Sequence, residues 1–217
     1  MTAGPARLVE AARQGDVSTL RTLLEAEPEL ANVRTEQGES PLLIAAYHQQ
    51  PEAVAVLAEH ARLDVFEAAV VGRADRLDEL LSAEPKLVRA RTPDGWTALH
   101  LAAFFGPPAS TERLLAHGAD VRAVSHNAQA NTPLHAALAG RGDAAVLDLL
   151  LSAGADVNAA AAQRVTPLHV AAARGNGDLI KRLLSRGAST SATMTDGTTP
   201  AAMAQTRGHP EAAALLA

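Results

Sequence analysis

Histidine is the residue type in this sequence best suited to chemistry, because it titrates near neutral pH and binds metal ions. The chain has eight histidines. Three of them, His100, His135 and His169, end the tetrapeptides TALH, TPLH and TPLH. An active site needs different groups that converge once, so the recurrence of one group in equivalent segments indicates an architectural role for these three.

The other reactive side chains form no catalytic or metal-binding motif. Four histidines lie in predicted loops or near helix ends without a second ligand at metal-binding spacing, and four aspartates recur at turn positions. The sequence contains no cysteine and no HExxH, GxSxG, P-loop or dinucleotide-binding pattern. We therefore predict no catalytic residue, no metal and no cofactor; an enzyme whose site is not visible in residue spacing stays an alternative. The residues concerned are His60, His117, His126 and His209, and Asp94, Asp120, Asp156 and Asp196.

The charge of the chain disfavours nucleic acid and anionic membranes as partners. The formal net charge is -5 at pH 7, and the lysines and arginines are scattered. A small basic cluster at residues 181–186 lies near a predicted helix C-terminus, where cations complement the helix dipole. The N-terminal residues have no apolar core of signal-peptide length, and no long uncharged apolar run occurs. We expect a cytoplasmic location, and the alanine-rich, arginine-over-lysine composition suggests a bacterial source.

Internal repetition identifies the elements that position these groups. Segments that begin at Thr97, Thr132, Thr166 and Thr199 follow one another at offsets of 35, 34 and 33 residues. After the first three, LLAHGADV, LLSAGADV and LLSRGAST recur in register. This double pattern resembles the ankyrin-repeat family, whose consensus runs D-x-x-G-x-T-P-L-H-x-A-A-x-x-G and continues through a second helix that ends L-L-x-x-G-A-D.

The resemblance implies an all-α ankyrin-repeat solenoid of helix-turn-helix units with short β-hairpin fingers. Thr caps the first helix, Pro fits its first turn, paired alanines allow close packing, and Gly ends the second helix. In this family the motif histidine hydrogen-bonds the backbone between units, which is the role we expect here. A single domain over residues 1–217 is predicted. Its units are 1–34, 35–63, 64–90, 91–123, 124–159 and 160–192, with a capping unit at 193–217.

The third unit departs from this pattern. Leu63, which aligns with the Val of G-A-D-V, is followed at once by DVFEAAVVG, so that about ten residues of finger are absent relative to the other units. Asp64 and Glu67 have the spacing of a capping box and rebuild the helix start. We expect the third unit to lack its finger, which would leave a notch between the second and fourth fingers.

The five aromatic residues indicate where a partner would bind. The resemblance implies that the two residues after each Ala-Ala pair point into a concave groove lined by first helices and fingers. Four of the five aromatics then fall at exposed positions, and Phe66 is expected at the position of the motif histidine. Exposed apolar patches mark interaction sites. The predicted protein-binding strip is Tyr47, His48, Val70, Val71, Trp96, Phe104 and Phe105.

Other interpretations of these residues stay open. Phe104 and Phe105 could fill space beside the small alanines, and Trp96 could pack on a neighbouring finger. The strip predicts a non-catalytic module that binds another protein as an adaptor or scaffold. The alternative is a dedicated inhibitor or protective partner of one enzyme. A monomer is expected, although an apolar strip could also be covered by a second copy of the chain.

Overall fold

The computed structural model describes residues 3–217, in which 14 α-helices follow one another as seven consecutive pairs. Each predicted unit contains one pair. Short 3-10 helices follow α2 and α6 and a third precedes α11; they span Pro28–Asn32, Pro85–Arg89 and Ala162–Arg164. The α-helices are α1 (Ala3–Gln14), α2 (Val17–Ala26), α3 (Pro41–Tyr47), α4 (Pro51–His60), α5 (Val65–Val71), α6 (Ala74–Ala83), α7 (Ala98–Phe105), α8 (Pro108–Ala116), α9 (Pro133–Ala139), α10 (Ala144–Ser152), α11 (Pro167–Ala173), α12 (Gly177–Ser185), α13 (Pro200–Thr206) and α14 (Pro210–Ala214).

The first helix of most units begins at the residue that the repeat predicts. Ser40 caps α3, and its side chain accepts a hydrogen bond from the backbone N–H of Leu43. Thr97 caps α7 in the same way, and His100 completes the box by accepting from the Thr97 backbone. A side chain that satisfies an otherwise unpaired N–H at a helix start stabilises the helix by about 1 kcal/mol. Local capping therefore fixes where the first helices start.

The helices form two rows. Each first helix packs on the first helices of the neighbouring units, from α1 to α13. The paired alanines of these helices are almost fully buried and let the helix backbones approach closely, while leucines of the second helices fill the space between the rows. This arrangement is the predicted all-α solenoid, and the prediction of its fold is confirmed.

The fingers are hydrogen-bonded hairpins, but they are too short to form strands. In the fourth finger (residues 92–96) the N–H of Thr92 donates to the carbonyl of Trp96 at 2.8 Å. Among the described residues, β-type backbone pairing is limited to one isolated antiparallel bridge between Arg91 and Thr97. The fingers that follow are the fifth (125–131), sixth (161–165) and seventh (194–198), and one backbone hydrogen bond of about 3 Å joins each to the finger before it.

The third unit lacks its finger, as predicted. Only four residues separate α4, which ends at His60, from α5, which begins at Val65. Asp64 caps α5, and Glu67 closes the capping box. Glu67 thus takes the place that His100 has in the fourth unit, and the expectation that Phe66 occupies the motif-histidine position is wrong by one residue. Phe66 corresponds to the motif leucine.

The missing finger coincides with a loosening of the stack. In the row of first helices, α3 and α5 have the smallest interface, and in the row of second helices α4 has almost no contact with α6. The pair α10 and α12 is also loosely packed, but there α9 and α11 stay in close contact. The junction between the second and third units is therefore the place where both rows loosen together.

Candidate protein-interaction surface

Four aromatic side chains form a continuous cluster across the second and fourth units. The ring centroids of Trp96 and Phe104 are 5.5 Å apart, those of Phe104 and Phe105 are 4.5 Å apart, and those of Phe105 and Tyr47 are 5.4 Å apart. Both outer pairs are edge-to-face, the arrangement that aromatic quadrupoles favour. We call these four residues the aromatic cluster.

The members of the predicted strip differ in exposure. Trp96 is only 9% exposed and Val70 only 8% exposed, so both are buried, contrary to the expectation that they are exposed. Phe104, Phe105 and Val71 are half-buried and pack against the core. The small alanines beside them leave room for the large rings. Each of these adjacent helical residues therefore lies partly against the core and partly at the surface.

Tyr47 and His48 are the exposed members of the strip. The Tyr47 hydroxyl donates to Asp94 Oδ2 at 3.0 Å, which links α3 to the fourth finger. Burial of the hydroxyl and the neighbouring Asp94 carboxylate raise the pKa of Tyr47, so the phenol keeps its proton and remains a donor. Both residues border a small hollow of about 240 Å³ that also contains Arg13 and Glu39.

The notch expected above the strip is closed at the finger tips. A Cβ atom added at Gly38, in the second finger (residues 35–39), would lie 3.3 Å from Pro93 Cγ of the fourth finger. The two tips thus lie close together across the place of the absent finger, and the hydrogen bond from Tyr47 to Asp94 spans the same place beneath them. A partner cannot enter there as the sequence suggested.

A larger depression opens instead at the other end of the first helices, where each turns into its second helix. It has a volume of about 800 Å³. Its floor includes Val70, Val71, Phe104 and Phe105, and one wall is the flank of α4 that does not pack on α6. We call it the turn-side depression. The aromatic cluster therefore lies between this depression and the hollow beside Tyr47.

Ionic side chains join Arg34, which directly precedes the second finger, to the start of the third unit. Arg34 Nη2 lies 3.1 Å from Asp64 Oδ2 and 3.4 Å from Glu67 Oε1. The Glu67 side chain is only 1% exposed, and burial, with the Asp64 carboxylate, raises its pKa, while Arg34 opposes this. In the third unit, Glu67 thus replaces the motif histidine. It pairs with Arg34, which precedes it in the chain, whereas the histidines of later units bond to the unit that follows.

The three motif histidines have the structural role that was predicted. Their Nε2 atoms lie 3.0 to 3.1 Å from the carbonyl oxygens of Asn131, Val165 and Thr198 in the following units. Burial lowers the pKa of His100 to about 4, and it also lowers the pKa values of His135 and His169. Neutral imidazoles donate from Nε2 to these carbonyls and accept at Nδ1.

The remaining histidines are not gathered into a site. His117 Nε2 lies 2.8 Å from Asp78 Oδ1, which links two second helices. Within residues 3–217, no three histidine, aspartate or glutamate side chains lie close enough together to hold a metal ion. In the same part of the chain, no helix has the length and apolar character needed to cross a membrane.

Two features of the turn-side depression were missed by reasoning from the sequence. Arg73 and Arg141 line it, although they are far apart in the chain and form no basic run. Gln49 also lines it and has a left-handed backbone with φ 57°. The second signal is visible in the sequence, because Gln49 stands where Gly72 and Gly175 end the first helix of other units.

Comparison with known proteins agrees with this architecture. A family model of ankyrin repeats in three copies matches residues 65–161 and 139–217, and a second model of ankyrin repeats in many copies matches residues 8–58. Residues 59–64, the link without a finger, lie between the two matches. A similar protein is the probable E3 ubiquitin-protein ligase XBOS31 of Oryza sativa subsp. japonica, which is 41% identical over 95 residues.

Those residues are 43% of this chain and 21% of the rice protein, so the chain spans about a fifth of the length of this curated relative. The family models cover most of the chain, and they match where the capped helices and recurring turns lie. Ankyrin repeats are generally modules of protein–protein interaction. On these grounds, the chain belongs to the ankyrin-repeat family.

Proposed function

We propose that this protein is a non-catalytic module that binds a partner protein as an adaptor or scaffold. The binding surface of the proposal consists of Tyr47, His48, Val71, Phe104 and Phe105, with Trp96 and Val70 buried behind them. The observation that carries the proposal is the aromatic cluster, in which Tyr47 is exposed and Phe104 and Phe105 are half-buried where the stack is least regular.

Energetics support this use of the cluster. When a half-buried ring becomes fully buried on binding, its remaining apolar surface is removed from water. This removal stabilises the complex by about 25 cal/mol per Å². Aromatic residues are also the commonest anchors of protein interfaces. Because Trp96 and the core hold the rings in place, little side-chain freedom is lost when a partner covers them.

The test is affinity capture from a lysate of the source organism, with bound proteins identified by mass spectrometry. The bait proteins are the wild type and Phe104→Ser/Phe105→Ser. Since both rings are half-buried, we expect this variant to lose about 2 kcal/mol of stability or more. Its melting temperature is measured, and capture is done well below it.

A matched control separates binding from stability. Leu115→Ser removes a half-buried apolar side chain from α8, outside the turn-side depression. We expect proteins to be retained by the wild type and by this control and lost from the double variant. Several partners would fit an adaptor, whereas one enzyme that loses activity would indicate an inhibitor. Equal capture by all three baits would overturn the proposed surface.

A further inference from the structure

The turn-side depression differs in charge from the rest of the molecule. The chain has a formal net charge of -5 at pH 7. Three arginines nevertheless line the depression, and none of the described residues that line it is an aspartate or glutamate. The low-dielectric walls of a cleft focus such a field and raise the local concentration of ions of opposite sign. The depression therefore favours a negatively charged occupant.

Two of these arginines have side chains available to a ligand. Arg73 and Arg141 are exposed and form no side-chain hydrogen bond or ion pair with any residue from 3 to 217. Arg174 is different, because its Nη1 donates to the carbonyls of Leu138 and Ala139 at 3.0 and 2.5 Å and also to that of Gly140. It stabilises the end of α9, so Arg73 and Arg141 are the candidate ligand-binding cations.

Apolar side chains make up much of the lining beside these cations. Val54, Ala55 and Ala58 lie on the flank of α4 that has almost no contact with α6. Facing them at the ends of α5 and α7 are Val71 and Phe105. An apolar helix flank normally packs on the next unit of a solenoid. Here that flank and the two phenylalanines of the aromatic cluster are left to line the same depression.

The length of the depression fits a polypeptide segment. It reaches the ends of four successive first helices, α3, α5, α7 and α9. Neighbouring packed helices lie about 8–10 Å apart, so four of them extend over about 25–30 Å. That distance corresponds to about 18 residues of α-helix.

We propose that the turn-side depression binds an acidic amphipathic segment of the partner protein. Apolar side chains of the segment pack on Val54, Val71 and Phe105, and its carboxylates pair with Arg73 and Arg141. This inference rests on the proposed function, since it names the chemistry of the partner at a surface that includes Phe104 and Phe105. A basic segment is disfavoured because no carboxylate lines the depression to pair with it.

The experiment is a selection from a display library of random 18-residue peptides against the wild-type protein. We expect the enriched peptides to carry more aspartate and glutamate than the unselected library, with apolar residues at helical spacing. Individual enriched peptides are then synthesised, and their affinities are measured by fluorescence anisotropy at two salt concentrations.

Two charge-matched variants test the site. Arg73→Gln/Arg141→Gln should weaken peptide binding by about tenfold or more and reduce its salt dependence, because two paired cations are removed. Lys181→Gln/Arg186→Gln removes the same charge from exposed positions in and just after α12, outside the lining of the depression, and should change affinity less than twofold.

Every other result overturns the inference. Enriched peptides without an acidic bias, acidic peptides that bind Arg73→Gln/Arg141→Gln as well as the wild type, or no enrichment at all would each do so. Phe104→Ser/Phe105→Ser is carried through the same assays. If it loses binding while the arginine variant does not, the proposed surface stands and the acidic partner is wrong. If it binds every selected peptide normally, the surface itself is wrong.

Discussion

Units four to seven and the junction of units two to four use the same repeat, but they hold their neighbours in different ways. In units four to seven, backbone hydrogen bonds join successive fingers, and motif histidines reach the next unit's carbonyls. At the junction, the links come from side chains. Arg34 pairs with Asp64 and Glu67, and Tyr47 donates to Asp94.

Pro93 shows this change at a single position. His126, Ala162 and Thr195 hold the equivalent place in the next three fingers, and the N–H of each donates to a carbonyl of the finger before it. Proline has no N–H to donate. The row of bonded fingers therefore ends at the fourth finger, where Pro93 lies close to Gly38 of the second finger without a backbone hydrogen bond between the two.

In units four to seven, backbone hydrogen bonds between fingers supplement the side-chain links, whereas among the described residues of the junction the hydrogen-bonded links between units come from side chains. The aromatic cluster and the turn-side depression both lie at the junction. The absence of the finger thus coincides both with the altered stack and with the proposed binding surface. Substitutions in each region test whether units four to seven depend on backbone contacts and the junction on side-chain contacts.

The largest effect is expected from Gly140→Ala in the regular region. A Cβ at Gly140 would lie 2.2 Å from the carbonyl oxygen of Phe104, so backbone must move. The loss of unfolding free energy should reach or exceed about 3 kcal/mol, the upper end of ordinary overpacking. Chemical denaturation measures it.

Gly118→Ala is the matched control. Its backbone has φ 81°, but a Cβ there meets no atom within 4 Å. Only the conformational cost of about 1 kcal/mol is expected. Equal losses in the two variants would contradict the view that close backbone approach holds the fourth and fifth units together.

The next effect concerns pH. Burial lowers the pKa of His100 from 6.5 to about 4. When pH falls below 6.5, the unfolded chain gains a proton at this residue before the folded protein does, so acid favours unfolding. The contribution of His100 is complete above pH 6.5 and is lost as pH falls towards 4, by about 2 kcal/mol between pH 7 and pH 5.

His100→Gln isolates this contribution, because glutamine at the third helical position can still complete a capping box with Thr97. The variant should show a shallower loss of stability between pH 7 and pH 5 than the wild type in urea titrations at each pH. His126→Gln changes an exposed histidine and should leave the slope as it is. Parallel slopes for wild type and His100→Gln would show that this imidazole is not held neutral.

The sequence predicts the local features of both regions, but not the geometry of the junction. The helices, the linking role of the motif histidines and the missing third finger follow from local residues, and they were predicted. The offset in placing Phe66 was avoidable, because the Asp64 and Glu67 spacing already aligns Glu67 with the histidine.

The geometry of the junction could not be predicted in this way. The closeness of Gly38 to Pro93, the burial of Trp96 and the turn-side depression all depend on the angle at which the third unit follows the second. A repeat pattern states which residues are equivalent, but it does not state that angle once about ten residues are missing. The binding role of the strip itself stays a prediction.

A smaller effect is expected from Tyr47→Phe at the junction. The change removes the hydroxyl that donates to Asp94 at 3.0 Å and keeps the ring that packs on Phe105. We expect a loss of about 1 kcal/mol, since Tyr47 is 37% exposed and water can solvate Asp94 in the variant. A double-mutant cycle with Asp94→Ala, which removes the acceptor, measures the coupling, and additive losses would show that this bond does not join α3 to the fourth finger.

The smallest effect should be a gain. Gln49 has φ 57° at the turn between α3 and α4, where other units have glycine. Gln49→Gly removes the cost of a left-handed side-chain-bearing residue and should stabilise the protein by about 0.5–1 kcal/mol in denaturant titrations.

Gln49→Ala distinguishes backbone strain from the loss of the side chain. Alanine lacks the amide but keeps the left-handed cost, so it should not stabilise the protein. Gln49 lines the turn-side depression, and its strained backbone accords with a role there. Gln49→Gly should then weaken binding of the selected acidic peptides while it raises the stability of the protein. Equal stability of the glycine and alanine variants would show that the junction does not store strain at this turn. The side-chain amide of Gln49 would then be the only difference between this turn and the glycine turns of the regular units.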